Sequence, residues 1–316
     1  MKRILFGLLL SVGIVTTCFA QDDGPLEMKN VSDTILSSTR KLDIPEPFDA
    51  QKTLLKLFPG KYYNLSHGEY KNELINWECK SCKGQSYIDA NEDESYQFPY
   101  EAGVATRVLN VISYKDSSGT QYKMLTFNHS EYDADGAQTS RFTGGTLGIA
   151  KFSLSGKVWS MKFFQPAIGA YGAFSSCPLP KPVLIGHDQY AFMLKVVNGG
   201  AGGPFQGNLF LIAGTGGTYK QILAVYGVER TEVSEDEGMS SWSCEYNSPE
   251  SDKRFFRDII VTMKGVYKST DIESLPEEVQ PYVKTNKKGK FTAVRRYVYK
   301  WGKGYQLQGP AGVTVD

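Results

Sequence analysis

Histidine is scarce in this sequence: His67, His129 and His187 are the whole supply, each in a polar, turn-like setting, with no two spaced for a shared metal. No GxSxG elbow is present, so spacing nominates no serine nucleophile with its partners. The glycine-rich Gly199-Gly200-Ala201-Gly202-Gly203-Pro204 lacks the Gly-Lys-Ser/Thr ending of a phosphate loop. It leads into Phe205 and a strand pattern, so no helix N-terminus is offered to a phosphate. Asp133-Ala134-Asp135-Gly136 starts like a calcium loop but lacks the third ligand and the terminal glutamate. The expectation is therefore no cofactor, no metal, no nominated catalytic residue, and a leaning away from an enzyme. A pair of hydrolytic carboxylates stays open, because their separation belongs to the fold and not to sequence distance.

Long apolar runs are absent after the first twenty residues, so no transmembrane segment is expected. The opening MKRILFGLLLSVGIVTTCFA has basic Lys2 and Arg3, an apolar stretch from Ile4 to Val15 and a Cys-Phe-Ala ending. That is the layout of a signal peptide over residues 1–20, cleaved after Ala20, and it predicts export to the periplasm or beyond the cell. A lipid anchor on Cys18 is the less favoured outcome, because Thr17 stands where the processing enzyme prefers Ala, Gly or Ser. Without Lys2 and Arg3 there remain 33 basic residues against 34 acidic, a net charge of −1. So neutral a chain has no global attraction for nucleic acid, which is excluded as a partner.

Four cysteines lie beyond the leader: Cys79, Cys82, Cys177 and Cys244. An even number in an oxidising compartment reads as disulfides, and four cysteines allow three pairings. The pairing favoured is Cys79 with Cys82 and Cys177 with Cys244. Trp77-Glu78-Cys79-Lys80-Ser81-Cys82 also matches the tryptophan and CxxC of thiol-disulfide oxidoreductases. Lys83-Gly84-Gln85 opens no periodic helix that would activate a thiolate, so redox chemistry is set aside. A zinc site would usually show two close pairs, and Cys177 and Cys244 stand alone.

What the chain does have is glycine, 32 residues of it, between runs of β-branched and aromatic residues. Arg107 to Tyr114 with Tyr122 to Asn128, Gly148 to Leu154 with Val158 to Phe164, Asn208 to Ala213 with Thr218 to Val228, and Val294 to Trp301 with Tyr305 to Leu307 read as hairpins. Their turn glycines, Gly119, Gly156, Gly216 and Gly302, are unevenly spaced, which argues against propeller blades. The fold class expected is mainly β, an antiparallel β-sandwich or barrel-like meander of hairpins with one or two short helices. One helix runs from Ala50 to Phe58, capped by Asp49 and stopped by Pro59-Gly60; a second, short one starts at Ser274. Residues 21–48 look like a flexible leader, and 49–316 a single β-rich domain with a subdomain break, if any, near 130–147.

Two charged stretches stand out, acidic Glu229 to Gly238 and basic Lys284 to Lys303, the latter interleaved with Tyr297, Tyr299, Trp301 and Tyr305. The favoured account of the second is a protected edge strand, over a grip on a polyanion or on sugar rings. The function expected is that of an exported, non-catalytic binding protein acting on another protein through loops at one end of the sheet. The loop nominated for contact includes Asn198, Gly200, Ala201, Gly203 and Gln206. The alternative is a carbohydrate-binding or carbohydrate-active protein using exposed aromatics, Trp159, Trp242 and Trp301 among them, with a glycan as partner.

Overall fold

Alternating or continuous apolar runs cut by glycine turns become strands throughout. The computed structural model describes residues 28–62, 73–91, 94–132, 142–200, 202–231, 239–283 and 288–316. The first half carries β1 (Lys29–Asn30), β2 (Asp43–Pro45), β3 (Lys61–Tyr62), β4 (Ile75–Glu78), β5 (Gln85–Asp89), β6 (Glu94–Phe98), β7 (Val104–Lys115), β8 (Gln121–Glu131), β9 (Gly145–Ser155) and β10 (Val158–Tyr171). The second half carries β11 (Lys181–Gly186), β12 (Gln189–Gly199), β13 (Phe205–Thr215), β14 (Thr218–Thr231), β15 (Ser241–Asn247), β16 (Ile259–Lys268), β17 (Lys288–Lys300), β18 (Gly304–Leu307) and β19 (Gly312–Val315). Among the described residues the single α-helix is α1 (Ala50–Leu57).

Two sheets result. The first runs β1-β4-β7-β8-β9-β10-β5-β6, with β2 on β10 and β3 on β4; the second runs β11 to β18 in chain order, with β19 on β17. Nearly all pairs are antiparallel, as short glycine turns require. The first sheet curls, since Phe98 of β6 and Trp77 of β4, from opposite ends of the strand order, pack ring to ring at 6.0 Å. The second curls as well: Gly304 of β18 lies so close to β14 that a Cβ there would collide with the Ile222 carbonyl.

Three cores hold this together. Strand β16 shows the simple alternation, with Ile259, Val261 and Met263 buried on the concave side of the second sheet. Strands β12 and β13 bury both faces: Met193, Leu209 and Leu211 join that core, while Phe192, Leu194, Phe210 and Ile212 pack between the sheets on Met124, Leu147, Ile149 and Tyr171. Burial on both sides is why these strands read as continuous apolar runs. The third core lies inside the first sheet, sealed by Leu54, Leu57 and Phe58. The Asp49 carboxylate accepts from Lys52 N at 3.0 Å to cap α1, and Arg40 donates to the carbonyls of Lys56 and Leu57 at its other end.

Several expectations need correcting. Residues 28–48 are built into the fold, with Val31, Ile35, Leu36 and Ile44 buried and β2 hydrogen-bonded to β10; their few apolar positions have no period, which is why they read as a leader. Strands β8 and β9 pair directly, so the proposed break at 130–147 is no boundary; the chain passes between sheets at residues 172–180. Strand β17 is flanked on both sides, so it is not an edge. Residues 276–280 form a turn with 3₁₀ segments on either side, not a helix.

Cys79 and Cys82 form the expected bridge, but Cys177 and Cys244 are free thiols. Cys177 is buried between the sheets and Cys244 packs on the concave core, so a whole sheet separates them and no bridge can span it. Burial raises both thiol pKa values, which leaves them poor nucleophiles. In a native chain begun at Gln21, which lacks Cys18, a thiol reagent should modify Cys244 slowly and Cys177 not at all; unfolding without reductant should release two reactive thiols and no more. Phe210→Ala, which empties the contact between the sheets, should cost about 3–5 kcal/mol of stability in a urea titration; a cost under about 1 kcal/mol would contradict an inter-sheet core at this strand.

Candidate functional site

Four tryptophans occur in the chain, and the structure treats one differently from the rest. Trp77, Trp159 and Trp242 are buried, and each indole N–H is satisfied, by Thr106 Oγ1, Glu46 and the Gly227 carbonyl respectively. Trp301 is 82% exposed on the β17–β18 turn. Of the three tryptophans considered for stacking on sugars, Trp159 and Trp242 are therefore core residues, and Trp301 alone presents its surface to solvent.

Trp301 caps a ladder of rings. Phe256 and Tyr299 lie parallel at 3.8 Å, Trp301 meets them edge-on at 6.3 and 6.0 Å, and Tyr299 meets Tyr305 at 5.5 Å. Phe256 holds a left-handed backbone, φ 53°, with its N–H bonded to Gln189 Oε1 at 3.1 Å. A bulky residue at positive φ is held there only when its surroundings insist; here the constraint keeps the ring flat on Tyr299. The Tyr305 hydroxyl donates to the Arg257 carbonyl at 2.6 Å, which fixes the inner end of the ladder.

Beside this ladder lies an open groove of about 630 Å³, between the β13–β14 turn and the β17–β18 turn. The size falls within the range of small-ligand sites, roughly 300–1,000 Å³. Its polar lining includes Lys220, Gln221, Lys303 and Gln306, all exposed, and it contains no carboxylate. Glycines at both rims, Gly216 and Gly302, keep the mouth free of side chains. The groove can thus offer one aromatic face, amide and ammonium donors, and no acid-base pair.

The basic stretch has a different role from the one its composition suggests. Arg295 makes a two-pronged pair with Glu278 at 2.6 and 2.9 Å, and Arg296 donates to Asp258, which also receives Lys253. Those carboxylates are held ionised, below their usual range, by these donors in spite of burial. The arginines are consumed by the fold, and Lys303 is left for the groove. In the acidic stretch, Glu229 pairs with Lys195, and residues 232–238 lie outside the described part.

The loop nominated from sequence is shorter than expected. Asn198 and Gln206 are ladder partners, as are Gly199 and Phe205, so only residues 200–204 turn; Ala201 lies outside the described residues. Neither Gly200 nor Gly203 lines the groove or the two smaller cavities, one on the first sheet and one walled by both sheets.

A serine, an aspartate and a histidine do meet, in an order unsuited to catalysis. Asp188 accepts from Ser117 Oγ at 2.5 Å and from Ser117 N at 2.9 Å, and His187 Nδ1 lies 3.4 Å from the same carboxylate. The carboxylate stands between hydroxyl and imidazole, so the histidine cannot take the serine proton; the contact ties two turns together. His129 is fully buried among Phe58, Trp77, Phe98 and Phe127. Its Nε2 faces the Pro166 carbonyl at 3.1 Å and so carries the proton, leaving Nδ1 to accept from Thr106 Oγ1 at 2.7 Å. His67 and the calcium-like Asp133-Ala134-Asp135-Gly136 lie outside the described residues. Among the described residues no group of three or more His, Cys, Asp or Glu could hold a metal ion, and no helix is long and apolar enough to cross a membrane. Comparison with protein-family models, curated proteins and solved structures gives no match.

Burial pulls the His129 pKa down to about 3, against about 6.5 in an unfolded chain. Between these values the unfolded state binds the proton and the folded state does not, so stability falls as pH drops from about 6.5 toward 3, by up to about 1.4 kcal/mol per pH unit. The imidazole resonances of His129 should stay at their neutral positions from about pH 8 to about pH 4 while stability declines; titration near pH 6.5 would show that the ring is not sealed.

Proposed function

We propose that this is an exported, non-catalytic binding protein that holds a saccharide chain in the groove beneath Trp301. The observation that carries the proposal is the contrast among the tryptophans: three are buried and hydrogen-bonded, and the fourth stands exposed over a groove lined by amides and ammonium groups. Sugar rings present apolar C–H faces and a rim of hydroxyls, and an exposed indole beside Gln221 and Gln306 suits both. A protein partner acting through residues 198–206 has less support, since both ends of that stretch are paired as strands and none of its described residues lines the groove at Trp301. The absence of a carboxylate from the groove lining supports binding over hydrolysis there. Lys220 and Lys303 favour chains that carry acidic substituents.

Trp301→Ala tests the reading cleanly, because the side chain is exposed and its removal should leave the melting temperature almost unchanged. On an array of neutral and acidic oligosaccharides the wild-type protein should retain at least one class, and the variant should bind it at least about tenfold more weakly, a loss of about 1.4 kcal/mol. Retention of no glycan by the wild type, or equal binding by the variant, would rule out a saccharide at this groove. Capture of a protein partner that Trp301→Ala abolishes would likewise overturn the saccharide and reassign the groove to protein recognition.

A further inference from the structure

Across the β13–β14 hairpin from the Trp301 groove lies a second cavity, of about 350 Å³. Neighbouring residues on a strand point to opposite faces, and here Tyr219 lines the second cavity while Lys220 lines the first. The other walls come from the first sheet: Tyr122, Lys151, Ser153, Lys162 and Phe163. The lining thus has two ammonium groups, an aliphatic hydroxyl and three aromatic rings, with no carboxylate.

Lys151 is the unusual member. It is half-buried, and its Nζ sits 4.4 Å from the centre of the Tyr122 ring and 5.5 Å from that of Tyr114. Among the described residues it has no ion-pair partner, and burial lowers its pKa. The charge of Asp116 offsets part of that effect from a distance but forms no ion pair with Lys151; its carboxylate accepts from Ser118 N, Ser118 Oγ, Thr120 N and Tyr122 OH at 2.6 to 3.1 Å. Desolvated cations are ordinarily paired, so an unpaired one facing a cavity leaves the position of a counter-ion open. Ser153 of β9, a largely buried residue, adds a hydroxyl-bearing side chain to the same wall.

The aromatic side of the cavity is rigid. Gln165 clamps the Tyr219 main chain, donating to its carbonyl at 3.0 Å and accepting from its N–H at 2.8 Å, and the ring packs on Phe163 and Phe192. Burial lifts the Tyr219 phenol to about 12, so it stays protonated and brings no negative charge to the wall.

We infer that this cavity is a second binding site, for a small phosphate or sulfate monoester whose oxyanion is taken by Lys151, Lys162 and Ser153 and whose ring lies on Phe163 and Tyr219. A tetrahedral anion satisfies two ammonium groups and a hydroxyl together, which a neutral sugar does not. The site is independent of the saccharide reading, because no residue lines both cavities.

Calorimetric titration of the intact mature protein decides the matter, with inorganic phosphate, phenyl phosphate, glucose 6-phosphate and glucose 6-sulfate as probes and phenol and glucose as controls. At least one ester should bind saturably at constant ionic strength, with neither control binding. Lys151→Met and Lys162→Gln should each weaken it tenfold or more, while Trp301→Ala leaves it unchanged. Lys162 is exposed, so its variant keeps the test valid if Lys151→Met fails to fold. Comparison of the aryl ester with the sugar esters then identifies the ring. Absence of saturable binding by every ester, or binding that survives Lys162→Gln undiminished, would overturn the inference, whatever becomes of glycan binding at Trp301.

Discussion

The double burial of β12 and β13 is the constraint on which everything else depends. A strand apolar on both faces cannot stand at a surface, so one face requires the concave core of the second sheet and the other requires the first sheet. Met193 and Leu211 serve the former, Phe192 and Phe210 the latter. The two sheets are therefore not separable bodies joined by a linker; each supplies half of the core between them. Tyr171 against Phe210, Gln165 on the Tyr219 main chain and Asp188 on Ser117 are three contacts along that seam, one apolar and two polar.

Hairpins were legible in the sequence because period-two patterning and glycine turns are local signals: Gly119, Gly156, Gly216 and Gly302 all take positive φ in the turns expected of them. The Asp49 cap and the stop at Pro59-Gly60 marked the helix for the same reason. Long-range facts were not legible. Nothing local to Cys177 and Cys244 says that a sheet lies between them, and nothing in residues 28–48 says that Arg40 will close the far end of α1. The candidate site was half visible: Trp301 stood among basic and aromatic residues in the final hairpin, but its exposure, and the burial of Trp159 and Trp242, depend on which strands curl over which. Phe256 was missed entirely, since its role comes from a left-handed backbone in a loop with no pattern to announce it.

Charge is distributed by the same logic. Several arginines sit in pairs that fasten loops to strands, Arg230 with Asp271 at 2.6 Å and Arg295 with Glu278 among them, and their carboxylates are held ionised by the contact. Both ends of such pairs are spent, which is how a near-neutral protein can still have distinct local chemistry. The lysines at the two cavities are among the charges not consumed in this way, and each group lies beside aromatic rings. A side chain that is neither buried in a core nor paired with an acid is available for something else.

One contact gives the first groove its particular character. Where Gly304 meets the Ile222 carbonyl, two stretches of main chain touch with no side chain between them, and a single added methyl group would force them apart. The floor of the groove is thus backbone, whose position no rotamer can alter. Its depth is a fixed gauge, while its rim of lysine, glutamine and indole can be exchanged piece by piece without disturbing the fold. Drift in a lineage carrying this protein would accordingly change which ligand is preferred long before it changed how thick a ligand can be.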